Sequence, residues 1–247
     1  MTGTLHVVGE HETILEILTL RDGYVGRMLV FLDIGRHAGE TLQIALAPRW
    51  GLQRIHVFEP ASSCWPLLDG LADHRTTVHR FGLWNSDTTL ELHNPGAIGA
   101  SVMSDKDPTI TTEVCTFRDV AGWFTTHLAA DDVVIAKINI EGAEVEVIDR
   151  LAASGHLSRI QSLFIHFDAR KSPSRAHLVG QVRAQLDAHG VRYFDAGAMG
   201  PLRRATVNWL AWSVSESPLR GVRLAIRTAE ARLRKRLYPF KKRFRCG

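Results

Sequence analysis

The stretch MLVFLDIGRHAGETLQIAL, residues 28 to 46, decides the fold. A run of large apolar residues, MLVFLDI, stops abruptly at Asp33. Gly35 and Gly39 follow four positions apart, and from Glu40 to Arg49 the pattern winds as a helix ended near Pro48. A buried strand that ends on a carboxylate and two glycines delivers backbone, not side chain, to whatever lies beyond it.

Outward from this stretch, short apolar runs alternate with longer amphipathic segments at the spacing of β-α units. RIHVFEP reads as a second strand stopped by Pro60, with a helix through Trp65 and Leu68 after it. TTVHRFGLW and TTLELH are extended, NPGAIGAS (94–101) is loop by composition, and TEVCTF is a strand before a helix holding Trp123 and Phe124. DVVIAKINI is a strand, and EGAEVEVIDRLAAS a helix closed by Gly155. IQSLFIHFD is a strand and RAHLVGQVRAQLDAHG a helix ended at Gly190. VRYFDA and NWLAWSV read as two late strands. Strands apolar on both faces with helices between them predict a mostly parallel, doubly wound sheet.

The chain has 247 residues, 45% of them hydrophobic and 23% charged, which suits one large core. No run approaches the ~18 apolar residues of a membrane span. The opening, with Glu10, Glu12 and Glu16, does not resemble a signal peptide, so the expectation is a cytoplasmic protein. Cys64, Cys115 and Cys246 are odd in number and widely spaced, as free thiols in a reducing compartment would be. The twelve histidines are scattered without ligand spacing, and no metal is expected. From Leu219 onward, eleven lysines and arginines stand against Glu230, a local charge of +10. With +4 overall, residues 1–218 carry −6, an acidic body that argues against a nucleic-acid surface.

The spacing Gly-x-x-x-Gly differs from the dinucleotide fingerprint, and an acidic residue beside the turn would repel a pyrophosphate. It would welcome an ammonium, such as that on the methionine part of S-adenosylmethionine. Glu59 ends the next strand 24 positions beyond Gly35, where an acidic side chain takes the two hydroxyls of a ribose. An ordinary strand-to-helix connection is the competing reading of the glycines alone.

FLDIGRHAGETL, VFEP, FGLWNSDTTLEL, GAS and KINIEGAEVEVIDRL stand in the order of the motifs of the FkbM family of S-adenosylmethionine-dependent methyltransferases, which the chain resembles over roughly residues 29 to 167. The resemblance implies a class I methyltransferase, Rossmann-like fold and O-methylation of a sugar, a glycan or glycolipid precursor, or another hydroxylated small molecule. By position, Asp33, Gly35, Gly39 and Thr41 would frame the methionine part and Glu59 the ribose, with His37 a further cofactor-binding candidate in the same loop. Leu83 and Trp84 would flank the adenine, with core packing as the other reading of Trp84. The chain also departs from the family. Arg36 and His37 replace a common Ala-Asn, and Asn139 stands where an aspartate is common between Lys137 and Glu141-Gly142. An asparagine can orient a substrate but cannot accept a proton as a carboxylate does.

Three residues are candidates for the chemistry: His166, Glu141 and Asn139. An imidazole has the best unperturbed pKa for base work near neutrality. Glu141, just past the DVVIAKINI strand, either serves as base or caps the following helix. Lys137 reads as a paired structural ion. NPGAIGAS would either close over the cofactor, with Ser101 near the site, or be an inert surface loop.

In the tail, Leu219, Val222, Ile226, Ala229, Leu233 and Leu237 share one helical face, flanked by arginines. Such a helix either docks on the body or a second subunit, or lies on the inner face of an anionic membrane; RNA binding is the third reading. The expected organisation is a methyltransferase domain over 1–218, with a doubly wound, mostly parallel sheet, and a basic amphipathic C-terminal helix over 219–247. The rival functions are a cofactor-binding protein of this fold without turnover, and a nucleic-acid methyltransferase anchored by the tail.

Overall fold

A computed structural model describes residues 27–35 and 39–215; the expectations for His37 and for the tail 219–247 lie outside the described residues. Strand β1 (Leu29–Ile34) is buried along nearly its whole length, as are β7 (Val133–Ile138) and β8 (Ile160–Ile165). Burial on both faces is what their predominantly apolar runs require. With β2 (Arg54–Phe58), β3 (Thr76–His79) and β9 (Tyr193–Asp195) they form a six-stranded sheet in the order β3-β2-β1-β7-β8-β9, all parallel. The chain builds outward from β1 to β3, then returns to lay β7 on the other side of β1. The C-terminal edge between β1 and β7 is therefore the topological switch point, where ligands bind in open α/β sheets.

Helices cover both faces. On one lie α3 (Val120–His127), α4 (Glu144–Ala153) and α5 (Val179–Ala188), whose Phe124, Ile148, Leu151 and Leu186 pack with Leu32, Ala136 and Leu163 of the sheet. On the other, α1 (Glu40–Ala45) packs beside α6 (Leu202–Ser213). Trp209 of α6 stacks on Phe164 at 5.1 Å and donates its indole N–H to Ser162 Oγ at 2.9 Å. A last helix, α2 (Trp65–Leu71), follows β2. None of the helices among the described residues is long and apolar enough to cross a membrane.

The expected strand NWLAWSV is a correction: it forms the second half of α6. Tryptophan and valine favour strands locally, but Ala205, Thr206, Trp209, Leu210 and Ser213 are the buried positions, and that spacing is one face of a helix. A second sheet was also not foreseen. β4 (Gly82–Trp84), β5 (Thr88–His93) and β6 (Thr112–Asp119) make a three-stranded layer in the order β4-β6-β5, with β5 and β6 antiparallel.

An aromatic cluster fills the space between β2, β3 and α3. His56 Nδ1 lies 3.0 Å from His79 Nε2, the Trp123 ring stands edge-on to His56 at 5.0 Å, and His127 stacks on Trp123 at 4.7 Å. Burial, then the charges of His79, Arg54 and His127, pushes His56 down to about 3; burial and His127 push His79 down to about 4. Both histidines are neutral at physiological pH.

Candidate active site

Gly35 closes β1 with φ +79°, and its N–H donates to the Phe58 carbonyl at 3.2 Å. Asn139, just beyond β7, donates its N–H to the Ile34 carbonyl at 2.9 Å, so the two strand ends meet backbone to backbone. A Cβ on residue 35 would lie 2.8 Å from the Asn139 carbonyl carbon, and closer still to its oxygen and to Ile140 Cγ2. Glycine is needed there for space as well as for φ. Gly39, at φ +80°, is the residue before α1.

Asp33 faces away from the cleft that these residues begin. Strand alternation puts its carboxylate on the opposite side from Ile34, fully buried, 3.1 Å from Lys137 Nζ. Lys137 also donates to the Gly35 carbonyl. Asp33 thus acts on the glycine turn through Lys137, which is the paired structural ion that its strand position suggested. Thr41 is buried on α1 and is not part of the cleft wall.

The cleft contains about 710 Å³ of space, counting the part open to solvent at its mouth. Ile34, Gly35 and Phe58 form one side, with Glu59 and Pro60 at the end of β2. Glu59 is only 6% exposed; its Oε1 accepts the Ala61 N–H at 2.9 Å, and its carbonyl accepts the Trp65 indole N–H at 3.0 Å. Gly82, Leu83 and Phe117 give the cleft an apolar wall from the small sheet. Trp84 points elsewhere, its ring edge-on to Phe117 at 6.1 Å, outside the cleft wall. The segment from Gly96 to Val102 makes the facing wall, so NPGAIGAS is part of the cleft itself.

Asn139, Ile140 and Glu141 form the remaining wall. The Asn139 side-chain oxygen is buried and has no hydrogen-bond partner among the described residues. Glu141 adopts φ +53°, rare for a residue with a side chain, and it does not cap α4. No side chain caps α4; the buried carboxylate of Glu144, its first residue, instead accepts the N–H groups of Gly142, at 2.8 Å, and of Ala169. Burial pushes Glu144 up to about 7 despite those two donors. Glu141 Oε2 instead sits 2.8 Å from Lys106 Nζ and 3.2 Å from Lys171 Nζ. Burial alone would raise its pKa, but Lys106 and Lys171 more than offset this and hold it below the usual carboxylate range. A carboxylate neutralised by two lysines is a weak base.

His166 follows β8, its N–H donating to the Ile138 carbonyl at 2.9 Å. It is outside the cleft wall but within the fields of Asp168, Lys137, Glu141 and Lys171. Burial is the largest influence and lowers its pKa, with Lys137 and Lys171 adding to this against Asp168 and Glu141. Its Nε2 is buried without a hydrogen-bond partner among the described residues.

Lys106, Lys171 and Glu144 were not foreseen. Lys106 sits in the polar run SDKDPT, where nothing local distinguishes a buried lysine from a solvated one, and Lys171, in ARKS, is an exposed lysine whose reach to Glu141 depends on the fold. Glu144 had a signal: it stands four residues before Ile148 and seven before Leu151, on the apolar face of α4.

Comparison with protein-family models matches residues 33–193 to the methyltransferase FkbM domain, while no curated protein and no solved structure matches the chain. The match runs from the last two residues of β1 to the first residue of β9, and so includes both strand ends that meet at Gly35 and Asn139. With most of the sequence matched and the parallel sheet placing these residues at one switch point, the chain belongs to the FkbM methyltransferase family.

Proposed function

We propose that this methyltransferase uses S-adenosylmethionine and methylates a hydroxyl of a sugar, a glycan or glycolipid precursor, or another small hydroxylated molecule. The observation that supports this best is the pairing, in one cleft, of Gly35, where no side chain fits, with the buried Glu59 carboxylate at the end of the next strand. The residues suit the cofactor. Glu59 is a pure acceptor, as ribose hydroxyls require, and Leu83 with Phe117 offers an apolar surface to an aromatic base. When bound, S-adenosylmethionine supplies a methyl group on a sulfonium, ready for in-line transfer.

The chain's own part is positioning and proton management. Gly35 lets the backbone approach closely, and Asn139 offers its side-chain oxygen to a donor in the cleft. We assign to His166, whose pKa burial lowers, the proton that an acceptor hydroxyl releases; because the imidazole stands outside the cleft wall, the acceptor has to reach beyond that wall to meet it. The second reading is a cofactor-binding protein without turnover. It draws support from Asn139, which cannot act as base, and from Glu141, occupied by two lysines.

Calorimetry with S-adenosylmethionine and with its demethylated product tests the first part. Glu59→Ala should weaken binding by about 1–3 kcal/mol, the cost of leaving polar partners unmatched. No binding to the wild type, or equal affinity in the variant, would sink the assignment.

A further inference from the structure

The wall of the cleft formed by the segment after β5 is fastened to the sheet edge by one buried lysine. Lys106 has a side chain only 3% exposed. Its ammonium has three donors and three acceptors around it: the Gly99 carbonyl at 2.7 Å, Glu141 Oε2 at 2.8 Å and Asp107 Oδ2 at 3.2 Å. Gly99 belongs to one cleft wall and Glu141 to another. Two further bonds run the same way. Ser101 Oγ donates to the Glu141 carbonyl at 2.6 Å while accepting the Met103 N–H, and Asp105 accepts the Ser174 N–H at 2.8 Å. Residues 99–106 therefore cross the β7–α4 turn as a strap, and Lys106 is its charged fastening. The left-handed backbone of Glu141 is what turns both its carbonyl and its carboxylate toward that strap.

We propose that Lys106 is a positioning residue for the methyl-transfer reaction: through Gly99 and Glu141 it fixes the width of the cleft and holds the strap in its binding-competent position. The proposal rests on reading the cleft as the donor site. Without the lysine, the Gly99 carbonyl and the Glu141 carboxylate each lose a buried partner, and the strap must be reordered whenever a ligand binds. The apparent affinity then falls in proportion to the time that the strap is closed; closure for one-tenth of the time raises Kd about tenfold.

Full-length wild type, Lys106→Met and Lys106→Arg are compared in two measurements. In the first, without ligand, thermolysin should cut Lys106→Met at least several-fold faster at Ile98 and Ile110, the exposed residues that flank the strap. In the second, calorimetry with S-adenosylhomocysteine should show Kd raised about tenfold or more in Lys106→Met and largely restored in Lys106→Arg. If wild type itself binds no S-adenosylhomocysteine, the donor-site reading falls, and the proteolysis still decides whether Lys106 fastens the strap. Unchanged cleavage overturns the proposal. So does a lowered thermal midpoint with wild-type Kd in the folded protein, which would make the lysine structural only. Should Lys106→Met fail to fold, Ser101→Ala, which releases the strap without stranding a charge, takes its place, and wild-type cleavage and affinity there overturn the proposal.

Discussion

Replacing Gly35 by alanine tests the geometry on which the donor site depends. Two costs are expected, and the structure allows them to be separated. The left-handed φ of +79° costs an L-residue about 1–2 kcal/mol. The added methyl has no space against the Asn139 carbonyl and Ile140, and such overpacking costs about 1–3 kcal/mol more. Gly155, which follows α4 at φ +75° and has nothing within 4 Å of an added Cβ, carries only the first cost. Urea unfolding followed by circular dichroism should therefore give a loss of about 1–2 kcal/mol for Gly155→Ala and of roughly 2–5 kcal/mol for Gly35→Ala, with unchanged m. Since Asn139 and Ile140 must yield to the methyl, Gly35→Ala should also lose affinity for S-adenosylhomocysteine, whereas Gly155→Ala should not. Equal stability losses in the two variants would refute the steric argument, and normal affinity in Gly35→Ala would refute its link to the cleft.

Acid should destabilise the protein before its ordinary carboxylates titrate. His56 and His79 have folded pKa values near 3 and 4, so the unfolded chain binds protons first as pH falls below 6.5. Glu144, raised to about 7, opposes them, because the folded state holds its proton between pH 4.5 and 7. The sum is a loss of about 2 kcal/mol from pH 7 to pH 5, readable from urea midpoints; equal stability at the two pH values would contradict it. His166→Ala should lower turnover by ~10²–10⁴-fold with near-normal cofactor affinity, and the acid limb of the wild-type rate should lie below pH 6.5. An active His166→Ala would remove the imidazole from the chemistry and favour another base.

The parallel sheet was legible because strands buried on both faces write themselves as nearly continuous apolar runs, as in VFLDI and VVIAKI, each broken only by one member of the Asp33–Lys137 pair. The end of α6 was not, because a seven-residue window around Trp209 shows strand-like residue types, and the helical period emerges only over the twelve residues from Leu202 to Ser213. The site divided in the same way. Gly35 and Glu59 could be placed because strand ends and backbone freedom are local properties. The direction in which Asp33 points also follows from strand alternation, but its meaning depends on Lys137, over a hundred residues away. Lys106 is placed by its long-range charge pair with Glu141, which leaves no local trace; Lys171 pairs locally with Asp168, three residues before it, but its second pair with Glu141 is equally long-range.

The Asp33–Lys137 ion pair has a consequence for the order of folding. The glycine turn after β1 obtains its fastening, Lys137 on the Gly35 carbonyl, only when β7 docks beside β1. Until then the first strand and its two neighbours on one side can pair, but Asp33 has no counter-charge from β7 and the turn has no lid of backbone from Asn139. During synthesis, the end of β1 cannot gain its contacts to Lys137 and Asn139 before residue 139 has left the ribosome, although Gly35 itself was made a hundred residues earlier. Closing so long a segment is slow relative to local pairing. A ligand that binds this turn therefore captures the chain after its slowest topological step and stabilises only molecules that have completed the crossover.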